Sequence, residues 1–181
     1  WHAGGGSADS FSSCATYNAT EEVPASGVGT ISDRVLVTRR GTGMGGMYVY
    51  YTGDYREYLQ ARLTEPLIPG VPYLVSFNMA GHLTEQATDG MGALLTTGPV
   101  QQFSGTSTLP VIPQVMSPGL IQGENWTTIC NVIVPSEPLE YITIGSFLSN
   151  VQSAATGTGS GYYFIDDVVV ARVIDTGCLT G

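Results

Sequence analysis

The sequence predicts an all-β protein, a two-sheet antiparallel β-sandwich of the jelly-roll kind, on three observations. Apolar residues come in short runs broken by Gly and Pro, several runs alternate with a period of two, and helix signals are nearly absent. The clearest alternation sets Tyr73, Val75, Phe77 and Met79 against Leu74, Ser76 and Asn78, the pattern of a strand with one buried face. Arg34 to Thr38, Met47 to Tyr51, Tyr58 to Leu63, Met91 to Thr96, Trp126 to Val134, Tyr141 to Phe147 and Tyr162 to Val173 supply the other strands. The best helical candidate, Asp54 to Leu63, lacks an apolar stripe and follows Thr52-Gly53.

Between these runs, Gly41 to Gly46 reads as a glycine turn. Its match to G-x-G-x-x-G lacks the following helix that a dinucleotide site needs. Thr97 to Gly123 is long for a passive connection. Residues 1–29, rich in Gly, Ser and Ala, read as loop with short edge strands. At 181 residues and 43% hydrophobic, the chain suits a single domain, 1–181, with one core.

Charge excludes several functions. Six arginines, no lysine and fifteen acidic residues give a net charge of −9, which repels a phosphate backbone, so no nucleic-acid partner is expected. Without lysine there is no Schiff-base amine and no P-loop cation. Charged residues make up 12% of the chain, against about 25% in ordinary soluble domains. No apolar run approaches the roughly 20 residues of a transmembrane helix. A chain opening on Trp1 reads as a mature or trimmed product.

Cys14, Cys130 and Cys178 are too widely spaced for a zinc knuckle or a redox pair. One disulfide and one buried thiol are expected. Of the three pairings, Cys14 with Cys178 is favoured because both lie near chain ends, and Cys130, inside the apolar run Ile129 to Val134, behaves as a small hydrophobe.

Several fragments together resemble a jelly-roll domain of secreted Bacteroidota surface proteins. They are Trp1, Gly-Ser-Ala-Asp-Ser-Phe, Cys14, Val23-Pro24, Gly43 to Tyr48, Tyr55-Arg56-Glu57-Tyr58-Leu59, Leu63-Thr64-Glu65-Pro66-Leu67 and Tyr73-Leu74-Val75-Ser76-Phe77. Downstream, Trp126, Tyr141 to Phe147 and Tyr163-Phe164-Ile165-Asp166-Asp167-Val168 extend the match over nearly the whole chain. The resemblance implies a galactose-binding-like, carbohydrate-binding-module fold, export by the type IX pathway and an extracellular, cell-surface location. Two departures stand out. The family's first strand, which precedes the first Trp, has no counterpart here, and Leu74 replaces a common Cys while Ser146 replaces a common Asn.

Amphipathic aromatic rings suit sugar stacking, so Tyr50, Tyr58 and Trp126 are expected as exposed ligand-binding positions, with Arg56 and Glu57 as polar contacts. By analogy with jelly-roll binding modules, Asp167 and then Asp166 are candidate ligands of a structural Ca²⁺, which needs six to eight oxygens. No catalytic motif surrounds His82, Ser76 or Cys14, so no enzyme is expected. The expected function is therefore a non-catalytic extracellular adhesion or glycan-binding module, with a glycan or a neighbouring surface protein as partner. The alternative is self-assembly: a structural subunit of a filament or surface layer, in which a neighbour's strand completes an edge left open by the missing first strand.

Overall fold

The computed structural model describes residues 1–6, 8–12, 28–31, 34–37, 39–81, 86–101, 107–123 and 125–173. Its strands, in chain order, are β1 (His2–Gly5), β2 (Asp9–Ser12), β3 (Val28–Ile31), β4 (Arg34–Val37), β5 (Gly43–Tyr50), β6 (Tyr58–Arg62), β7 (Tyr73–Gly81), β8 (Met91–Thr96), β9 (Val115–Met116), β10 (Thr127–Ile133), β11 (Tyr141–Ser146) and β12 (Gly161–Arg172). One sheet runs β1-β6-β11-β8-β9 and the other β10-β7-β12-β5-β2, every pair antiparallel, while β3 and β4 form a separate hairpin.

Counted from β5 as first to β12 as eighth, one sheet reads first, eighth, third, sixth and the other second, seventh, fourth, fifth. That order is the double Greek key of a jelly roll, and β1 and β2 extend the two sheets at one side. No helix among the described residues is long and apolar enough to cross a membrane.

The core lies between the sheets. Val75, Phe77 and Met79 of β7 meet Leu59 of β6, Ala93 and Leu95 of β8, and Ile142 and Ile144 of β11, as their alternation requires. The outward faces are also covered. Tyr58, Gln60 and Thr143 stand on the outside of the β6–β11 sheet, yet all three are buried, because the long β8–β9 connection lies across them. Its Val100 carbonyl accepts from Gln60 Nε2 at 3.1 Å, and Leu109 N donates to the Tyr58 hydroxyl at 3.0 Å. On the opposite sheet, Met44, Tyr162 and Phe164 form an outer cluster, with Tyr48 and Trp126 packed against it.

Two expectations change here. The glycine run Gly43 to Gly46 is the first half of β5 and not a turn. A Cβ on Gly45 would lie 2.4 Å from Leu59 Cδ1, so glycine lets the sheets approach at that point. The edges of β6 and β5 beside Trp1, expected to be open for a donated strand, are paired with the chain's own β1 and β2. Strand exchange therefore has no acceptor at those two edges.

Docking of β2 is tied to a carboxyl group. Asp9 Oδ2 accepts from the Tyr162 hydroxyl at 2.5 Å, and burial, with Glu57 nearby, raises the Asp9 pKa above its ordinary value. The same burial, with the Asp9 charge, pushes the Tyr162 phenol well up. An acid whose folded pKa is raised contributes stability below its unfolded value of 3.8, and that contribution is lost as pH rises through the folded pKa. Asp9→Asn keeps an acceptor for Tyr162 without the charge. Its melting temperature should therefore gain on wild type as pH is raised from about 3.5 to 7; a difference between the two proteins that stays flat across that range would contradict the assignment.

Candidate functional site

The β5–β6 connection builds a rim at one end of the sandwich. After Tyr50 the chain makes a 3-10 turn, Thr52–Asp54, in which Gly53 and Asp54 both take left-handed backbone angles, φ 71° and φ 60°. Glycine does this without steric cost and aspartate at modest cost, so the turn ends on an aspartate in left-handed backbone. Asp54 Oδ1 accepts from Asn150 N at 2.5 Å, and Asn150 Nδ2 donates to Tyr51 O at 2.8 Å, which joins this turn to the β11–β12 connection.

Three side chains expected to meet a ligand hold this rim from beneath. Arg56 is fully buried: Nη1 donates to Tyr55 O at 2.9 Å, Nη2 donates to Leu148 O and to Asn150 Oδ1, both at 2.8 Å, and its guanidinium lies 5.3 Å from the Tyr50 ring. Burial lowers the Arg56 pKa. Glu57, also buried, accepts from Tyr48 N at 2.8 Å and from the Tyr55 hydroxyl at 2.7 Å. Tyr58 donates to Ser146 O at 2.6 Å, and burial pushes its phenol up to about 12.

Tyr58, expected to be exposed, is buried, and so are Arg56 and Glu57, expected as polar contacts to a ligand. Each fills a closed hydrogen-bonding position, which makes burial tolerable for groups of this polarity. Tyr50 and Trp126 are half-buried, Tyr50 against Arg56 and Trp126 in the outer cluster of the opposite sheet, and the structure does not bring Trp126 to the rim.

What the rim exposes is different. Tyr51 is 43% exposed, and Tyr48, Tyr51 and Tyr55 form a mutual cluster with ring centroids 5.3 to 6.3 Å apart. Beside it lies a groove of about 500 Å³, lined by buried Leu109 and Phe147, by Asp54, Ser107, Ser149 and Gln152, and by the exposed Ile112. An antiparallel bridge between Tyr55 and Ser107 joins the aromatic cluster to the groove. Asp54, Ser149 and Gln152 escaped sequence reasoning. The available signal was Gly53-Asp54, a dipeptide suited to left-handed backbone between two tyrosines.

Asp166 and Asp167 lie on a bulge of β12, where pairing with β7 skips between Asp166 and Val169 and Asp167 takes φ 52°. Asp166 Oδ2 accepts from Arg39 N and Arg40 N at 2.8 and 3.1 Å, and Asp166 Oδ1 accepts from Asp167 N at 2.7 Å. Asp167 Oδ2 pairs with Arg39 Nη1 at 2.9 Å, with Arg40 Nε at 3.6 Å. These oxygens already face guanidinium and amide donors, and no cluster of three His, Cys, Asp or Glu among the described residues could hold a metal. The arrangement does not fit the Ca²⁺ expected at Asp166 and Asp167.

Cys130, expected as a free thiol, is half-buried on β10 and disulfide-bonded. Cys14 and Cys178 lie outside the described residues.

No protein-family model matches the chain, and no curated protein matches it. Among solved structures it is similar to a xylan-binding domain of Paenibacillus barcinonensis Xyn10C, at 10% identity and TM-score 0.47, covering 82% of each chain. It is also similar to the C-terminal family 22 carbohydrate-binding module of Clostridium thermocellum Xyn10B, at 15% identity and TM-score 0.45, covering 93% of this chain and 88% of that one. The K1 cleaved adhesin domain of Lys-gingipain from Porphyromonas gingivalis follows at 14% identity and TM-score 0.38, covering 73% and 75%. Likeness at this level carries no argument about ligand or activity.

Proposed function

We propose that this chain is a non-catalytic extracellular adhesion or glycan-binding module of a bacterial surface protein, and that its glycan lies on the Asp54 rim. One observation carries the reading: the Asp54 carboxylate lines a groove of about 500 Å³ that the Tyr55–Ser107 bridge joins to the partly exposed rings of Tyr51 and Tyr55. Sugar rings offer C–H faces to stack on aromatics and hydroxyls that both donate and accept. The groove answers with the Asp54 carboxylate, the Ser149 hydroxyl and the Gln152 amide, and the exposed Tyr51 ring stands just before the turn that carries Asp54. Glycoside hydrolysis takes two facing carboxyl groups, and the described lining of this groove has one, Asp54. Export through the type IX pathway of a Bacteroidota cell is the setting that the family resemblance supports.

A glycan array tests this with wild type, Tyr51→Ala and Asp54→Asn. Asparagine tolerates the left-handed backbone, so Asp54→Asn removes charge without breaking the turn. Wild type should bind a defined set of glycans and each variant should lose about ten-fold or more in affinity, since stacked rings and charge-assisted bonds contribute roughly 1–3 kcal/mol each; Asp54→Asn should remain folded, with a modest fall in melting temperature because its carboxylate also holds Asn150 N. A wild type that recognises no glycan, or a Tyr51→Ala protein that binds as wild type does, would refute the assignment.

A further inference from the structure

The groove that Asp54 lines has two chemical sides. Leu109, Val111, Ile112, Met116 and Phe147 give it an apolar side, and three of them are well exposed, Val111 at 42%, Ile112 at 88% and Met116 at 38%. The polar side includes Asp54, Ser149 and Gln152, and Asp54 is the one charged side chain in the lining.

Hydrogen bonds fix how the polar side is presented. Ser149 N and Ser149 Oγ both donate to Gln152 Oε1, at 3.1 and 2.9 Å, which sets the orientation of the amide and leaves Nε2 without an acceptor among the described residues. Asp54 Oδ1 accepts from Asn150 N at 2.5 Å, and Oδ2 has no donor among the described residues. Ser149 and Asn150 are consecutive, so an unused donor and an unused acceptor are anchored on neighbouring peptide groups of one turn.

On the reading that a glycan occupies this groove, we propose that the sugar it selects carries an acetamido group, as a neutral N-acetylhexosamine does. One such group offers an N–H to Asp54 Oδ2, a carbonyl to Gln152 Nε2 and a methyl to the apolar side, and its planarity holds all three in fixed relation. The hydroxyls of a plain hexose can answer the donor and the acceptor, but they gain nothing from Val111, Ile112 and Met116. An acidic sugar meets the Asp54 carboxylate in a chain of net charge −9.

Titration calorimetry and saturation-transfer NMR on the intact chain test this, with N-acetylglucosamine and N-acetylgalactosamine set against glucose, galactose and fucose. At least one acetamido sugar should bind about ten-fold more tightly than its parent hexose, with its acetyl methyl receiving the largest saturation. Gln152→Glu keeps the acceptor for Ser149 and replaces the unused donor by a carboxylate oxygen, while Ile112→Ser trims a side chain that is 88% exposed. Neither change touches the core, and each should remove most of the ten-fold preference. Equal binding of acetylated and plain sugars, tighter binding of fucose, or a preference indifferent to both variants would overturn this proposal and leave the glycan reading standing. Binding of no sugar, or tighter binding of the peptide probe acetyl-alanine amide, would overturn both.

Discussion

Arg56→Ala is expected to destabilise the protein by about 3–5 kcal/mol, through a cavity and the loss of bonds to buried acceptors. The side chain is fully buried and holds three acceptors, Tyr55 O, Leu148 O and Asn150 Oδ1, that belong to two connections far apart in sequence. Truncation leaves those acceptors without their donor in a space that water refills poorly, and it removes the face against Tyr50. In a domain of this size the melting temperature should fall by roughly 10 °C, at about 2–4 °C per kcal/mol. Arg56→Lys should fall between, because one ammonium cannot span acceptors that a planar fork reaches together. Rim ligand affinity should drop with stability, since Asn150 and Tyr51 lose their common anchor. A thermal melt of Arg56→Ala within about 2 °C of wild type would show that the rim is not held this way.

That buried arginine also marks the limit of what the sequence discloses. The fold class was legible because period-two alternation is a direct imprint of a pleated strand with one buried face: Val75, Phe77 and Met79 all point into the core as their spacing requires. The long stretch after Thr96 was legible as more than a connection, and it is the cover over Tyr58, Gln60 and Thr143. Arg56 and Glu57 were misplaced because charged side chains ordinarily remain in water unless partnered. Their partners here come from Tyr48 and Tyr55 nearby and from Leu148 and Asn150 far away, and the distant pair leaves no local trace. The glycines of β5 were misread for a related reason: Gly45 is shaped by Leu59 on the facing sheet, not by its own neighbours. Asp166 and Asp167 suggested a cation by analogy, but Arg39 and Arg40 of the preceding turn occupy that role, a pairing that sequence separation hides.

Gly145→Ala should be nearly as damaging, and for a reason that isolates one contact. Gly145 lies on the outward face of β11, directly beneath the Tyr58 ring. An added Cβ would sit 2.4 Å from Tyr58 Cδ1 and 2.9 Å from the Glu57 carbonyl oxygen. Neither neighbour can yield easily. Tyr58 is buried, its hydroxyl is bonded to Ser146 O and Leu109 N, and Phe147 packs at 5.4 Å between ring centroids. The Glu57 carbonyl belongs to the backbone that enters β6. Overpacking of this kind costs about 1–3 kcal/mol where side chains can shift, and the backbone contact puts this site at or above the upper end. Tyr58→Leu alone should also destabilise, because it leaves Leu109 N without its acceptor, yet in the Gly145→Ala background it removes the ring that the new methyl strikes. The double variant should therefore be more stable than the sum of the two single losses allows, by about 1 kcal/mol or more. Denaturant melts of the four proteins measure that coupling. Strict additivity would mean that the clash is relieved elsewhere and that Tyr58 is not what requires glycine at position 145.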